Sequence, residues 1–374
     1  MRTTVLKKIV GLFTLLLLML VTTYADAASP TLQTAKKEAE AKGYIFYATH
    51  DEIVAMAKKE GKLRVDNRLS RPNFKPLINA FQQKYPFVTD IQVEELQGPE
   101  AYQRFLLEIK SGRAKGDVVL VGLDAAEEYM AYLVKYDILG MANHAVLKIH
   151  PQMVHPVKRN SIGVLSTVSL VVYNKKLISD DKVPAKWEDF LKPEFKGKKF
   201  TTDILPFGVA PLVPAWGLER TLDFARKIAT QQPAWGRGNT RITAAVLAGE
   251  YPLYLGSTYT AVKRAMDKDP TGSLSYKIIE PVPTRIVDDA TGILQTADHP
   301  HVALLWLEFL ASPEGQEIID KYEPLRASVL SPISAAAQVT RGKKLSAVDW
   351  NHVDKFDGYM DNIFAAFGFP KAGK

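Results

Sequence analysis

The sequence predicts an α/β protein of two lobes, each built on a mostly parallel sheet flanked by helices. Amphipathic helical segments alternate with short apolar strands, and this alternation starts a second time after residue 165. The 374 residues are enough for two domains of about 150 residues each. No low-complexity linker separates the halves, so we expect extended hinge strands that cross between the lobes more than once.

The first 27 residues predict a cleavable signal peptide. Arg2, Lys7 and Lys8 precede an apolar stretch from Ile9 to Val21, and Ala25-Asp26-Ala27 has the small-x-small pattern of a signal peptidase site. The apolar stretch is shorter than the roughly 20 residues of a transmembrane helix. The chain contains no cysteine, so we expect neither disulfides nor a lipoprotein anchor. The expected location is the periplasm.

The distribution of charged residues and the lack of common enzyme motifs narrow the range of possible functions. The 48 basic and 41 acidic residues are interspersed, and no basic block or arm indicates a nucleic-acid partner. The sequence lacks the G-x-S-x-G, H-E-x-x-H and G-x-x-x-x-G-K-[ST] signatures of common enzyme classes. We therefore predict a monomeric protein that is not an enzyme and holds no cofactor.

The first lobe is predicted over residues 58–165 and 280–335, after a helical extension over 28–57. "HDEIVAMAKKEG" is typical of an amphipathic helix, with Asp51 as its N-cap and Gly61 closing it. Two further helices follow in "FKPLINAFQQKYP" and "AYQRFLLEIKSG", and "DIQVEEL" and the buried run "DVVLVG" predict strands.

The second lobe is predicted over residues 166–279. "WEDFLKPEFKGKKFTTDI" indicates helix, turn and strand, and "LERTLDFARKIATQQ" another helix. "GNTRITAAVLAGE" predicts a short helix with Thr240 as N-cap, followed by the strand "YPLYLG". Residues 336–374 predict a helical extension that packs on one lobe.

Eight segments resemble the periplasmic solute-binding proteins of ABC importers, in the group that contains the ferric-ion-binding proteins. They are "AKKEGKLRV", "FQQKYPFV", "GDVVLVG", "VVYNKKL", "WEDFLKPEFKGK", "RGNTRITAAVLAGEYPL", "GSTYTAVKRA" and "HPHVALLWLEFLASPEGQ". They follow the order of that family from about Asp51 to Tyr322. The resemblance implies the two-lobed periplasmic-binding-protein fold, a ligand held between the lobes, and delivery to an inner-membrane ABC permease.

The stretch "GSTYT" is predicted to turn from a strand end into a helix at the cleft. Ser257 or Thr258 would cap the helix and leave first-turn N–H groups facing an oxyanion, and Tyr259 would reach outward. In the alternative, the hydroxyl only caps the helix and Tyr259 packs.

Iron is the alternative ligand that the resemblance implies. Ferric-binding members carry two adjacent iron-ligating tyrosines at this turn, whereas this chain has Thr258-Tyr259, so Tyr259 alone would be a metal ligand. Ferric iron prefers several anionic oxygens. Some members also place a histidine ligand where this chain reads "RLSRPNF", and Arg71 there suits a carboxylate, a phosphate, or a carbonate bound beside iron.

Other candidate ligand-binding residues lie at equivalent strand ends. They are Ser70, Asp124, Thr202, Asp203, Arg237 and Asn239. A structural role competes at three of them, because Asp124 and Asn239 suit helix caps and Arg237 suits a solvated surface.

These observations predict a binding protein for a small anionic solute: a phosphonate, an organic phosphate or a carboxylate. The alternative within the class is ferric iron with a bound anion. From another class we keep a periplasmic enzyme or a ligand sensor.

Overall fold

The computed structural model describes residues 30–96, 98–323 and 325–369, and the predicted signal peptide lies outside them. The strands are β1 (Lys62–Asn67), β2 (Asp90–Glu95), β3 (Val118–Gly122), β4 (Ser161–Ile162), β5 (Thr167–Asn174), β6 (Thr201–Asp203), β7 (Ala234–Gly236), β8 (Leu253–Thr258), β9 (Leu274–Lys277), β10 (Val282–Arg285), β11 (Asp289–Ile293) and β12 (Leu345–Val348).

The α-helices divide between the two sheets. They are α1 (Pro30–Ala41), α2 (His50–Glu60), α3 (Phe74–Lys84), α4 (Gly98–Lys110), α5 (Leu123–Met130), α6 (Ile138–Asn143), α7 (Val213–Trp216), α8 (Leu218–Thr230), α9 (Asn239–Leu247), α10 (Tyr259–Met266), α11 (Pro300–Ala311), α12 (Pro313–Tyr322), α13 (Ala335–Val339) and α14 (Trp350–Ala366). None of the helices in the described part of the chain has the length and apolar character needed to span a bilayer.

The first sheet has the strand order β2-β1-β3-β11-β4. Strands β2, β1 and β3 run parallel, and β11 runs antiparallel to β3 and β4. All five residues of β3 are buried, as the apolar run predicts. Eleven of the twelve residues of α11 are buried, because this helix is apolar on every side and lies between α2 and the sheet.

The second sheet has the order β12-β10-β5-β8-β6-β7, with β9 paired to the other half of β5. Strands β8, β6 and β7 run parallel, while β5 runs antiparallel to β8 and β10. The segment 280–335 therefore gives β10 to the second sheet and β11 to the first. The confirmed fold class is two-lobed α/β.

The chain crosses between the sheets at 163–166 and at 286–288. The Asp289 carboxylate joins these crossings, because it accepts the N–H groups of Val164 at 3.0 Å and Leu165 at 2.7 Å. Burial raises the pKa of Asp289 to about 7, although these N–H groups favour its charged form. A third crossing leads through α13 into β12.

Three local predictions were wrong. The N-cap of α2 is Thr49, which forms a reciprocal capping box with Glu52, so Asp51 lies inside the helix. Helix α9 begins at Asn239 after Gly238, so Thr240 lies within its first turn. The segment "WEDFLKPEF" forms two short 3-10 turns, Trp187–Leu191 and Pro193–Phe195, because Pro193 interrupts an α-helix.

Side-chain hydrogen bonds and an ion pair join the N-terminal segment to helix α11 of the first lobe. Tyr47 Oη lies 2.6 Å from His301 Nε2, and His301 Nδ1 lies 2.5 Å from Glu60 Oε1. His50 Nε2 pairs with the buried Glu308 carboxylate at 2.8 Å.

The C-terminal segment contacts both lobes. Helix α14 packs on α8, and its residues Phe356 and Ile363, together with the C-cap residue Phe367, are buried in the core of the second lobe. At its first residue, Trp350 packs with the first lobe, and its indole N–H donates to the Met153 carbonyl at 3.2 Å. This helix is therefore held at the junction of the lobes.

Candidate ligand-binding cleft

A cavity of about 780 Å³ lies between the lobes, at the carboxyl ends of β1, β3 and β8. Among the described residues that line it are four arginines and four acids: Arg68, Arg264, Arg285, Arg326, Asp288, Glu323, Asp357 and Asp361. Hydroxyl and amide groups of Thr167, Thr258, Thr260 and Asn239 complete its polar lining. In open α/β sheets, ligands bind at this end of the strands.

The hinge end of the cleft is built around Asp288. Its carboxylate contacts the guanidinium groups of Arg285, at 2.9 Å, and Arg326, and it accepts the Thr167 hydroxyl at 2.8 Å. Arg68 Nη1 donates to the Asp288 carbonyl at 3.0 Å. Burial alone would raise the pKa of Asp288, but the three guanidinium groups outweigh it and lower this pKa to about 2. Three guanidinium groups are thus gathered around Asp288.

Arg285 is held in place by aromatic rings as well as by charge. Its guanidinium carbon lies 5.4 Å from the ring centroid of Phe207 and 5.9 Å from that of Phe356. Cation–π contacts of this kind restrain the orientation of a guanidinium group. The cleft therefore presents a preorganised cation.

The turn from β8 into α10 forms the second-lobe wall. Thr258 is the N-cap of α10 and accepts the Ala261 N–H at 3.3 Å, while Ser257 is buried with its hydroxyl 2.8 Å from that of Thr243. Gly256 adopts φ 89, and a Cβ at this position would also collide with the backbone of Gly208, so both the conformation and the space require glycine. Of the predicted turn residues, the structure places Thr258 on the cleft and Ser257 behind it.

Tyr259 packs away from the lining of the cavity in this structure. Its ring lies 5.6 Å from that of Tyr276, edge to face. Burial, followed by the neighbouring Tyr276, raises the pKa of the Tyr259 phenol. Within the described residues, no group of three or more His, Cys, Asp or Glu side chains is arranged to hold a metal ion.

Ser70 and Arg71 lie beside the first-lobe wall. The Ser70 N–H and hydroxyl both donate to the Glu323 carboxylate, which lines the cleft. The Arg71 side chain is 81% exposed, and its Nε lies 3.4 Å from Glu95. Ser70 therefore contacts a residue of the cavity lining without lining the cavity itself, and Arg71 also lies outside the lining.

Of the next three predicted residues, Asn239 lines the cavity, whereas Thr202 and Asp203 lie outside its lining. Asn239 lines the cleft and accepts the Tyr254 hydroxyl at 2.8 Å. Thr202 is buried, with its hydroxyl 3.3 Å from the Leu255 carbonyl. Asp203 accepts the N–H groups of Leu205 and Gly238, and burial raises its pKa.

Arg237 and Asp124 complete the predicted set. Arg237 is exposed in the loop before α9, outside the lining of the cavity. Asp124 lies in the first turn of α5, and its side chain lies outside the described part of the chain.

Sequence analysis missed the arginines and acids of the cleft. Arg285 ends β10 and Asp288 lies in the crossing that follows it, so the prediction of hinge strands offered a usable signal. Asp357 and Asp361 lie in α14, beyond the segments that carry the family resemblance, and no sequence signal pointed to them.

Comparisons with known proteins agree with this architecture. The family of bacterial extracellular solute-binding proteins matches residues 68–317. A curated relative, the Fe(3+)-binding periplasmic protein of Serratia marcescens, is 25% identical over 181 residues, which are 46% of this chain and 52% of that protein. The chain thus spans about half the length of this relative.

Solved structures show the same fold at low identity. Iron-bound HitA from Pseudomonas aeruginosa has 16% identity and a TM-score of 0.60, over 82% of this chain and 99% of HitA. PotD, the substrate-binding protein of a spermidine/putrescine ABC transporter from Streptococcus pneumoniae, has 15% identity and a TM-score of 0.58, over 82% of this chain and 99% of PotD. Together with the matched residues and the two-lobed cleft, these comparisons confirm the predicted resemblance: the chain belongs to the bacterial extracellular solute-binding protein family.

Proposed function

We propose that this protein captures a small anionic solute in the interlobe cleft and delivers it to an inner-membrane ABC permease. The observation that carries the proposal is the hinge cluster, in which the guanidinium groups of Arg68, Arg285 and Arg326 converge on Asp288. Guanidinium groups pair well with carboxylate, phosphate and phosphonate oxygens, because their N–H donors are planar and permanently charged. Three guanidinium groups gathered at one point of the cleft favour a ligand that carries an anionic group.

The size and lining of the cleft agree with a small solute. Its volume of about 780 Å³ lies within the roughly 300–1,000 Å³ of small-molecule sites. Thr258 and Thr260 of the second lobe line the same cavity as Arg68 of the first lobe. A ligand that contacts both walls stabilises the closed arrangement, which is the state that a permease would recognise.

Calorimetric titration with methylphosphonate, glycerol 3-phosphate and citrate tests the proposal. We expect saturable binding of at least one probe, reduced at least tenfold in Arg264→Ala, because Arg264 lines the cleft. Arg220→Ala is the matched control, since Arg220 pairs with Glu188 at the surface of the second lobe. Failure of all three probes to bind, or an equal loss in the control, would contradict the proposal.

The variant Arg71→Ala tests the predicted role of Arg71 in binding the ligand. A role in binding requires the exposed side chain to turn from Glu95 towards the cleft on closure. Unchanged affinity of this variant would remove Arg71 from the site while leaving the arginines of the cleft in place.

Ferric iron with a bound anion is the second candidate, favoured by the iron-binding relative and by iron-bound HitA. Here the hinge arginines would hold the anion, and Tyr259 would have to leave Tyr276 to supply a phenolate. Titration with ferric citrate under this candidate produces a visible phenolate-to-iron absorption band that Tyr259→Phe abolishes. Under the anion proposal we expect no such band.

We also propose that binding proceeds without turnover. The probes should be recovered chemically unchanged after prolonged incubation, as judged by phosphorus NMR for the phosphorus compounds. Conversion of a probe would favour a periplasmic enzyme instead.

A further inference from the structure

The first lobe contains a second cavity, of about 450 Å³. It is lined by β1, β2, α4 and the loop before β3, and none of the described residues that line it also lines the interlobe cleft. Asp66 and Phe105 belong to its lining, although they are only 7% and 5% exposed. The wall of this cavity therefore contains a buried carboxylate beside a buried aromatic ring.

The Asp66 carboxylate has no partner within the described part of the chain. Neither a hydrogen bond nor an ion pair reaches it there. Burial, followed by repulsion from Glu94, Glu108 and Asp117, raises the pKa of Asp66 to about 7. A buried carboxylate normally accepts hydrogen bonds or pairs with a cation, because its desolvation is otherwise uncompensated. Contact with a cation would therefore stabilise the charged form of Asp66.

Glu94 places a second carboxylate beside Asp66. Strands β1 and β2 are parallel, and Asp66 and Glu94 are directly opposite each other in their register. Side chains paired in this way point to the same face of the sheet, where like charges repel. A cation between the two carboxylates would replace this repulsion by attraction.

Phe105 and Gly116 shape the surroundings of Asp66. Glycine at position 116 leaves room for the carboxylate, because a Cβ there would collide with Asp66 Oδ2 and would lie 3.4 Å from Phe105 Cζ. The carboxylate and the ring thus meet beside Gly116. This combination suits an alkylammonium ion, since the carboxylate accepts charged N–H donors and the ring packs against an alkyl chain.

The basic residues of the cavity do not neutralise Asp66. Besides Glu94, the other charged residues of the lining are Arg64, Glu95, Arg104, Glu108, Arg113 and Lys115. Arg104 pairs with Glu108 at 3.9 Å, and Arg64 pairs at 3.8 Å with Asp298, which is not part of the lining. Among the residues that the structure describes, none of these basic groups is within ion-pairing distance of Asp66. The charges that act on Asp66 are therefore mainly those of acids.

We propose that this cavity is a second binding site, in which Asp66 and Glu94 bind the ammonium group of a small alkylammonium ion and Phe105 packs on its alkyl chain. The volume of about 450 Å³ lies within the range of small-molecule sites. The site is additional to the proposed capture of an anion in the cleft and does not depend on it.

The test is a titration with n-butylammonium, followed by amide chemical shifts in NMR spectra of the isotope-labelled protein. Butan-1-ol is the matched neutral probe, because a hydroxyl group replaces the ammonium group on the same alkyl chain. At pH 8 we expect saturable shifts in β1, β2 and α4 with n-butylammonium and none with butan-1-ol. Asp66→Asn should weaken binding by about tenfold or more, because the amide keeps the shape of the side chain but loses its charge.

The pH dependence of binding tests the assignment to Asp66. An alkylammonium ion stays charged from pH 6 to pH 8, whereas the ionised fraction of a group with a pKa of about 7 rises from roughly one tenth to roughly nine tenths. We therefore expect the wild type to bind n-butylammonium about tenfold more tightly at pH 8 than at pH 6. Binding that does not change with pH would overturn the assignment.

Asp51→Asn is the matched control, because it makes the same change in charge at an exposed residue of α2 that does not line the cavity. It should bind n-butylammonium like the wild type. In the same spectra, methylphosphonate should not displace n-butylammonium, because the two cavities are separate.

The outcomes separate this inference from the proposed function. Absence of saturable binding, equal binding of both probes, or unchanged binding in Asp66→Asn would overturn the second site and leave the capture of anions standing. An equal loss in Asp51→Asn would overturn it as well. Displacement by methylphosphonate would place the cation in the cleft and overturn the second site, while it supports binding of the anion there.

Discussion

Replacing Asp288 with asparagine tests the electrostatic core of the cleft. The Asp288 side chain is only 5% exposed and meets Arg285 and Arg326. Asparagine keeps the shape of the side chain but removes its charge. The variant therefore leaves a group of guanidinium ions without their shared counterion.

The expected loss of stability follows from the pKa. Folding lowers the pKa of Asp288 from 3.8 to about 2, and each factor of ten in acidity is worth about 1.4 kcal/mol, so the charged form contributes on the order of 2 kcal/mol. Breaking a buried ion pair by removing one partner typically costs about 3–5 kcal/mol. We expect the free energy of unfolding of Asp288→Asn to fall by about 2–4 kcal/mol at pH 7.

The pH dependence has a definite sign. Because the folded-state pKa is lowered, the contribution is fully present above about pH 4 and is lost as the pH falls towards 2. The stability difference between wild type and Asp288→Asn should therefore shrink steadily below pH 4.

Urea unfolding followed by circular dichroism at pH 7 and at pH 3 measures both effects. The control is Asp223→Asn, which removes an exposed pair with Lys227 and should change stability by less than about 0.5 kcal/mol. An Asp288→Asn protein as stable as wild type at pH 7, or an equal difference at both pH values, would refute the reasoning.

Three other substitutions test the remaining structure by chemical unfolding. In Gly256→Ala the new Cβ would meet the Gly208 Cα at 2.7 Å with φ 89, so we expect a loss of about 2 kcal/mol or more; wild-type stability would contradict this. Thr258→Ala removes the cap that accepts the Ala261 N–H and should cost about 1 kcal/mol; an unchanged unfolding midpoint would argue against the cap. Burial, followed by nearby carboxylates, raises the pKa of Asp66 from 3.8 to about 7. The wild type therefore loses stability as the pH rises through 7, and Asp66→Asn should be more stable than wild type by about 2–4 kcal/mol at pH 8 but not at pH 4; a gain independent of pH would disprove it.

Local periodicity accounts for what the sequence predicted well. The run "DVVLVG" is entirely apolar, and β3 is buried along its whole length. The polar turn after "YPLYLG" predicts a helix start, and α10 begins at Tyr259 with Thr258 as its cap. Both features depend on residues that are close in the sequence, where spacing and capping chemistry are informative.

The chemistry of the cleft depends on residues that are far apart in the sequence. Arg68 follows β1, whereas Asp288 lies in a crossing segment and Arg326 follows the last helices of the first lobe. No spacing rule connects them, because only the hinge geometry brings them to one point. Tyr259 was predicted to face the cleft from its place in the turn, and the structure packs it on Tyr276, the alternative that sequence analysis had also kept.

The placement of Trp350 has an optical and mechanical consequence. Its ring belongs to a helix carried by one lobe, yet its indole hydrogen bond ends on Met153 of the other. Any rotation that separates the lobes must break or strain this bond and change the polarity around the indole. We therefore expect the fluorescence of Trp350 to change when the lobes move apart.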